Sequence, residues 1–174
     1  VAPQIADQFS IGYYKNIVRN NVLEFSVETY YKDIKNLVDF KVGADLQFNK
    51  AIETDLLQGD GRSYGLELSA KKSNGWFTGW FNYTWSRSFI RLNGDFAEER
   101  VNGGDFFQTT YDKPHYLNMV TNYKFTRRYS LSLNLVYSSG RPVTYPIGKW
   151  QFNTAESLQY SERNAFRIPD YFRV

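Results

Sequence analysis

The chain has 174 residues, 18% of them aromatic, with no Cys, one His and a formal net charge of +3. Without cysteine there are no disulfide scaffolds, thiol nucleophiles or thiolate metal sites, and one histidine leaves few soft ligands, so no metal or other cofactor is expected. Lys and Arg are scattered rather than clustered, which argues against a nucleic-acid partner, and no stretch nears the about eighteen consecutive apolar residues of a spanning helix.

Polar and apolar residues alternate in six stretches, and a period of two is a strand. The first, 8–15, places Phe9, Ile11 and Tyr13 on its apolar face. A short polar turn at 16–21 leads to the second, 22–32 with an extension through Val38. It sets Leu23, Phe25, Val27, Thr29 and Tyr31 against Glu24, Ser26, Glu28, Tyr30 and Lys32. The third, 62–72, opposes Tyr64, Leu66, Leu68 and Ala70 to Ser63, Gly65, Glu67, Ser69 and Lys71, and Ser73, Asn74 and Gly75 then give a hairpin signal. In the fourth, 76–90, Phe77, Gly79, Phe81, Tyr83 and Trp85 oppose Thr78, Asn82, Thr84, Ser86 and Ser88, with Trp80 breaking the polar face.

The fifth, 116–125, places Leu117, Met119, Thr121, Tyr123 and Phe125 opposite Tyr116, Asn118, Asn122 and Lys124, with Val120 as the exception. After a turn at 126–128 the sixth, 129–139, sets Tyr129, Leu131, Leu133, Leu135 and Tyr137 against Ser130, Ser132, Asn134 and Ser138. A seventh begins at Asp170.

Tight turns follow the first, third and fifth strands, whereas long polar segments, 33–61, 87–115 and 140–169, follow the others. Short turns at one end and long loops at the other are the habit of outer-membrane barrels. The eight-residue spans from Leu23 to Tyr31, Phe77 to Trp85 and Tyr129 to Tyr137 rise roughly 20 Å at about 40° of tilt, close to an apolar band of about 25 Å. Within these windows the outward face carries no Lys, Arg, Asp or Glu.

The reading is an all-β, antiparallel transmembrane barrel wall. Leu23, Phe25, Val27, Tyr31, Leu66, Leu68, Phe77, Phe81, Tyr83, Trp85, Leu117, Met119, Leu131, Leu133, Leu135 and Tyr137 are expected to face lipid. Glu24, Glu28, Glu67, Lys71, Asn82, Asn118, Asn122 and Asn134 are expected to face the lumen. The smallest closed bacterial barrels have about eight strands, and an open edge in hydrocarbon leaves backbone groups unsatisfied. Six strands and the start of a seventh are therefore expected to be part of one larger barrel domain, with the remaining strands and any plug outside it. The opening Val1-Ala2-Pro3-Gln4, with no leader pattern, gives the same expectation of a mature or trimmed piece.

The ordered motifs resemble a family. Gly61-Arg62-Ser63-Tyr64-Gly65-Leu66-Glu67-Leu68, then Tyr83-Thr84-Trp85-Ser86-Arg87-Ser88, are similar to strand openings and ends of TonB-dependent outer-membrane receptors, particularly those of Bacteroidetes. Tyr30-Tyr31-Lys32-Asp33-Ile34-Lys35-Asn36, Tyr137-Ser138-Ser139-Gly140-Arg141-Pro142 and the tail Arg163-Asn164-Ala165-Phe166-Arg167-Ile168-Pro169-Asp170-Tyr171 resemble further segments of that family. The resemblance implies the C-terminal part of a barrel of about 22 strands. It also implies an N-terminal plug, nutrient import across the outer membrane of a Gram-negative bacterium, and energy from TonB. Outer-membrane lipid, the rest of the barrel with its plug, TonB, a surface lipoprotein and the barrel-assembly machinery are the partners it suggests.

Other motifs have plainer readings. Gly59, Gly61 and Gly65 lack phosphate-loop spacing and are expected to serve turns. His115 has no patterned Ser or Asp partner. Asp95, Glu98, Glu99 and Asp105 lack calcium-loop spacing and read as a solvated acidic loop. Glu24, Glu28 and Glu67 could serve as a glycosidase carboxylate pair, but lumen-lining charge explains them, so no enzyme activity is expected. Phe106, Phe107, Tyr111, Tyr145 and Trp150 are the candidate ligand-contacting rings of the outer loops. Beside transport stand two other roles, an incomplete barrel held as a client of assembly or secretion machinery and a small stand-alone adhesin.

Overall fold

The computed structural model describes residues 2–19, 21–41, 43–44, 51–152 and 155–174. The strands are β1 (Ile5–Arg19), β2 (Asn21–Phe40), β3 (Leu56–Lys72), β4 (Phe77–Arg91), β5 (Phe107–Gln108), β6 (His115–Lys124), β7 (Ser130–Ser138), β8 (Pro142–Val143), β9 (Pro146–Phe152), β10 (Ala155–Tyr160), β11 (Phe166–Arg167) and β12 (Tyr171–Arg173). One antiparallel sheet runs β1-β2-β3-β4-β6-β7-β12, with β5 added beside β4. The hairpin β9–β10 and the pair β8–β11 are separate two-stranded pieces of the last long segment. Helical structure among the described residues is confined to three short 3-10 turns.

Register aligns the alternation across the sheet. Tyr13, Val27, Leu68, Tyr83, Leu117, Tyr137 and Phe172 form one row, and Lys15, Phe25, Ala70, Phe81, Met119 and Leu135 form the next. The polar parity gives Gly12, Glu28, Glu67, Thr84, Tyr116, Ser138 and Tyr171. A slip of one residue anywhere would invert a whole strand, so this pairing is strongly specified. Two exceptions to alternation, Trp80 and Val120, are register partners. They form an apolar step within the polar face, flanked by Lys71 on one side and Asn134 on the other.

Several boundaries differ from the alternating windows. β1, β2 and β3 run 15, 20 and 17 residues, beyond the windows 8–15, 22–32 and 62–72, because the backbone ladder continues where hydrophobic alternation stops, whereas β4 matches its window of 76–90 to within a residue. The turn expected over 16–21 is paired up to Arg19 and Asn21. A bulge shifts the β2–β3 register between Ile34 and Leu37, with Asn36 at φ 56°, a left-handed conformation that Asn tolerates. Ile34 faces Gly61, Leu37 faces Gly59 and Asp39 faces Leu57. The extra residue therefore moves Leu37 and Asp39 onto the polar side, where even-numbered residues of β2 had stood.

That end of the polar face holds the buried core. Leu57, Ile90, Leu92, Val101 and Phe107 pack together with Leu37 against them. The segment after β4 doubles back through Val101 N–H to Leu92 O (3.1 Å) and the Asn93–Arg100 bridge, which lays its apolar side chains on the wall. Phe107, expected as an exposed ring, is only 7% exposed within this cluster. Pairing of Phe107 with Ile90 turns the ring inward.

Candidate functional site

The polar face is a hydrogen-bonded wall. Lys71 Nζ lies 3.7 Å from Glu24 Oε2, Ser69 Oγ donates to Asn82 Oδ1 at 2.7 Å, and Ser63 and Ser88 hydroxyls are 2.9 Å apart. Gly65 lets this wall close, since a Cβ there would stand 2.9 Å from the Tyr30 ring and 2.8 Å from Trp85 O.

Above the wall, at the long-loop end, is an open cavity of about 450 Å³. Its floor comes from Leu37, Ser88 and Ile90, and its sides from Asp39, Thr109, Tyr111, Arg163 and Asn164. Arg163 Nη2 donates to Asp39 Oδ1 at 2.9 Å and Nη1 to Phe40 O at 2.8 Å, so the one ion pair at its edge is internally neutralised. Tyr111 is 87% exposed, and Thr109 Oγ1 is buried without a hydrogen-bond partner. An aromatic face, hydroxyls and amides around a neutralised charge pair suit a polar ligand bound by stacking and hydrogen bonds.

Tyr111 is placed by an interruption in one descending strand. β5 and β6 both pair with β4, and between them the chain leaves the sheet. Thr109 N–H still reaches Ser88 O (3.1 Å) and Ser86 N–H reaches Pro114 O (3.1 Å). The Ser88 N–H between them would be orphaned, and Asp112 Oδ1 accepts it at 2.7 Å. Asp112 is 1% exposed and also takes Arg87 Nε (3.3 Å) and Arg167 Nη2. The carboxylate thus stands where a neighbouring strand would have supplied a carbonyl.

Three residues of the tail motif tie the last long segment to this cavity and to Asp112, and a fourth, Asp170, ties the end of β7 to the chain beyond it. Arg163 reaches β2, and its backbone exchanges two bonds with the Asn102 side chain (2.8 and 2.9 Å). Asn164 donates to Gln108 O at 2.7 Å. Arg167 donates to Asp112 O and Gly140 O. Asp170 accepts from Gly140 N–H (2.9 Å) and Tyr137 Oη (2.6 Å), and these bonds hold its carboxyl below the usual carboxylate range.

The family model described as TonB dependent receptor-like, beta-barrel, matches residues 1–174. The chain belongs to that family. Receptors of this kind are outer-membrane transporters rather than enzymes, and these residues are a section of such a receptor's barrel. Neither the curated proteins nor the solved structures include a match.

In this receptor barrel the expected outward-facing residues share one face of the sheet, and the expected inward-facing residues share the other. The five candidate rings are not brought together. Tyr111 alone lines the cavity, while Phe107 is beneath it in the core. Phe106 stacks with Arg62 (4.1 Å) and Arg91 (4.8 Å) on the parity of the apolar face. Tyr145 contacts Phe166 edge-on at 6.0 Å, and Trp150 donates to Gln159 within the β9–β10 hairpin.

His115 sits at the start of β6 with its Nδ1 2.8 Å from Tyr83 Oη, a rim pairing rather than a triad. Among the described residues no three His, Asp or Glu side chains gather as metal ligands. Sequence reasoning missed Asp39, Asp112, Arg163, Asn164 and Arg167 as a site. For Arg163, Asn164 and Arg167 the signal was the tail motif, which does not tell that Asp39 and Asp112 are the partners of its arginines.

Proposed function

We propose that these residues form a wall section, near the C-terminal end of the barrel, of a Bacteroidetes-type transporter of about 22 strands with an N-terminal plug. It imports a scarce nutrient, a siderophore, vitamin, glycan or peptide, across the outer membrane of a Gram-negative bacterium. The apolar rows from Leu23 to Tyr137 meet lipid, and Glu24, Glu28, Glu67, Lys71 and the asparagines of β4, β6 and β7 line the lumen. The observation that carries the reading is the antiparallel meander onto whose polar face the long segment after β4 folds. β1 and β12 are unpaired edges, and hydrocarbon does not tolerate such edges, so further strands of the same barrel close it.

In this reading Tyr111, Asn164 and Thr109 contact the nutrient as it enters, and Arg163 with Asp39 fixes the cavity's shape. TonB acts through the plug, a surface lipoprotein covers the loops, and the barrel-assembly machinery inserts the wall. Uptake by cells whose sole source of the nutrient is this receptor tests the proposal. Removing TonB abolishes uptake, and Tyr111→Ala raises the half-saturating concentration roughly tenfold, the effect of losing a contact of about 1.4 kcal/mol. Uptake that continues without TonB contradicts the proposal.

A further inference from the structure

Three arginines stand at the loop end of the apolar face, where alternation would have continued rings and aliphatic chains. β3 and β4 pair Leu66 with Trp85, Tyr64 with Arg87, Arg62 with Phe89 and Asp60 with Arg91. Climbing that face, the side chains pass from aliphatic to aromatic to cationic within a few steps. The Tyr64 ring is 5.9 Å from Trp85 and stacks on Phe89 at 6.3 Å. Arg87 lies over Phe89 at 4.8 Å, and Arg62 lies between Phe89 (5.5 Å) and Phe106 (4.1 Å).

Two of these cations have carboxylate partners, Arg91 with Asp60 and Arg87 with Asp112. Arg62 forms no ion pair among the described residues, although Asp33 is its register partner on β2. Its Nε is buried without a hydrogen-bond partner. A guanidinium fixed between two rings, with a desolvated donor and no acceptor, is incomplete, because buried donors are ordinarily paired. The Arg62–Phe89 row lies four residues beyond the Leu66–Trp85 row, roughly 10 Å higher along a tilted strand. That is headgroup level.

We propose that Arg62, framed by Phe89 and Phe106 and flanked by Arg87 and Arg91, binds a phosphate group of an outer-leaflet lipid. The proposal rests on the reading that the apolar face meets lipid. A guanidinium presents parallel N–H donors that match phosphate oxygens. Both rings contact the guanidinium, so it has less rotamer freedom left to lose on binding. A lipid rather than free phosphate is favoured because Trp85, Leu66 and Leu68 continue directly below and offer acyl chains a path down the wall.

The test uses the intact receptor in nanodiscs of uncharged lipid, titrated with lipid A, with lipid A stripped of its phosphates, and with inorganic phosphate. Lipid A saturates the receptor, and the other two do not at the same concentrations. Arg62→Gln weakens lipid A binding tenfold or more, on the order of the loss of one charged hydrogen bond, and Arg62→Lys weakens it less. Equal binding by Arg62→Gln, or equal binding of the stripped lipid, overturns the proposal, as does saturation by inorganic phosphate alone. Phe106→Leu, which removes one of the framing rings, is read the same way if Arg62→Gln does not assemble. Heat-modifiable mobility of each preparation reports folding of the barrel separately, so loss of the lipid site is distinguishable from loss of the barrel.

Discussion

At Asp112 a carboxylate with 1% exposure replaces a missing strand carbonyl and joins two arginines from different parts of the chain. Breaking a buried pair by removing one member costs about 3–5 kcal/mol, because the remaining charge is left uncompensated. Asp112→Asn, which keeps the shape and removes the charge, is expected to loosen the loops over 92–114 and 140–169 while the wall stays paired. Limited proteolysis from the loop side measures this as faster cleavage within those two segments. Gly140 beside it admits no side chain, since a Cβ would stand 1.7 Å from Ile168 O.

Asp170 gives a pH dependence with a defined sign. The Tyr137 hydroxyl and the Gly140 N–H hold its carboxyl below the usual range in the folded protein. A depressed folded value means that the tie stabilises above the unfolded value and is lost as pH falls through the folded one. Protection of the Gly140 amide from hydrogen exchange is therefore expected to persist through about pH 4, where free carboxylates titrate, and to fall only in stronger acid. In Asp170→Asn the acid step disappears.

Among elements, the strands were legible because their signal is local. A period of two needs only neighbours, and the face assigned to each side chain of the second, fourth and sixth stretches follows from parity alone. The strand ends were less legible, since β2 and β3 run beyond the alternating window as backbone ladder. The bulge at Asn36 was invisible because one left-handed Asn leaves no mark on composition, yet it moves Leu37 and Asp39 to the polar side. The cavity was illegible for a different reason. Its ties join residues far apart in sequence, 124 residues in the case of Arg163 and Asp39, and nothing local says which carboxylate an arginine will meet.

The paired faces of β7 make the strand assignment testable. Leu133→Arg places a cation on the apolar face near mid-window, at an expected cost of about 2–4 kcal/mol, whereas Asn134→Arg on the polar face is expected to be near neutral. Urea unfolding of the receptor in lipid vesicles measures both.

At the scale of the whole molecule, the proposed transporter has this sheet separate two media. Rows dominated by Tyr, Phe, Leu and Met on one side and by Glu, Ser, Thr and Asn on the other run through six strands, interrupted by Lys15 on the first face and by Trp80, Val120 and Val136 on the second. The long loops add a buried apolar patch only at one end, under the cavity. No helix among the described residues is long and apolar enough to cross a membrane, and crossing falls to the strands. The transporter reading, the lumenal cavity and the lipid-phosphate site all depend on this separation.

The sharpest measurement is a pair of spin labels on adjacent residues of β3, Leu68→Cys and Glu67→Cys, in the intact receptor reconstituted in bilayers. These 174 residues contain no cysteine, so each thiol in the segment is the one introduced. The label at 68 is expected to relax with dissolved oxygen, which concentrates in acyl chains, and to ignore a water-soluble nickel chelate. The label at 67 is expected to do the reverse. Equal chelate access at both positions, or protection of position 68 from both reagents, would mean that the apolar face meets water or protein instead of lipid, and would contradict the account.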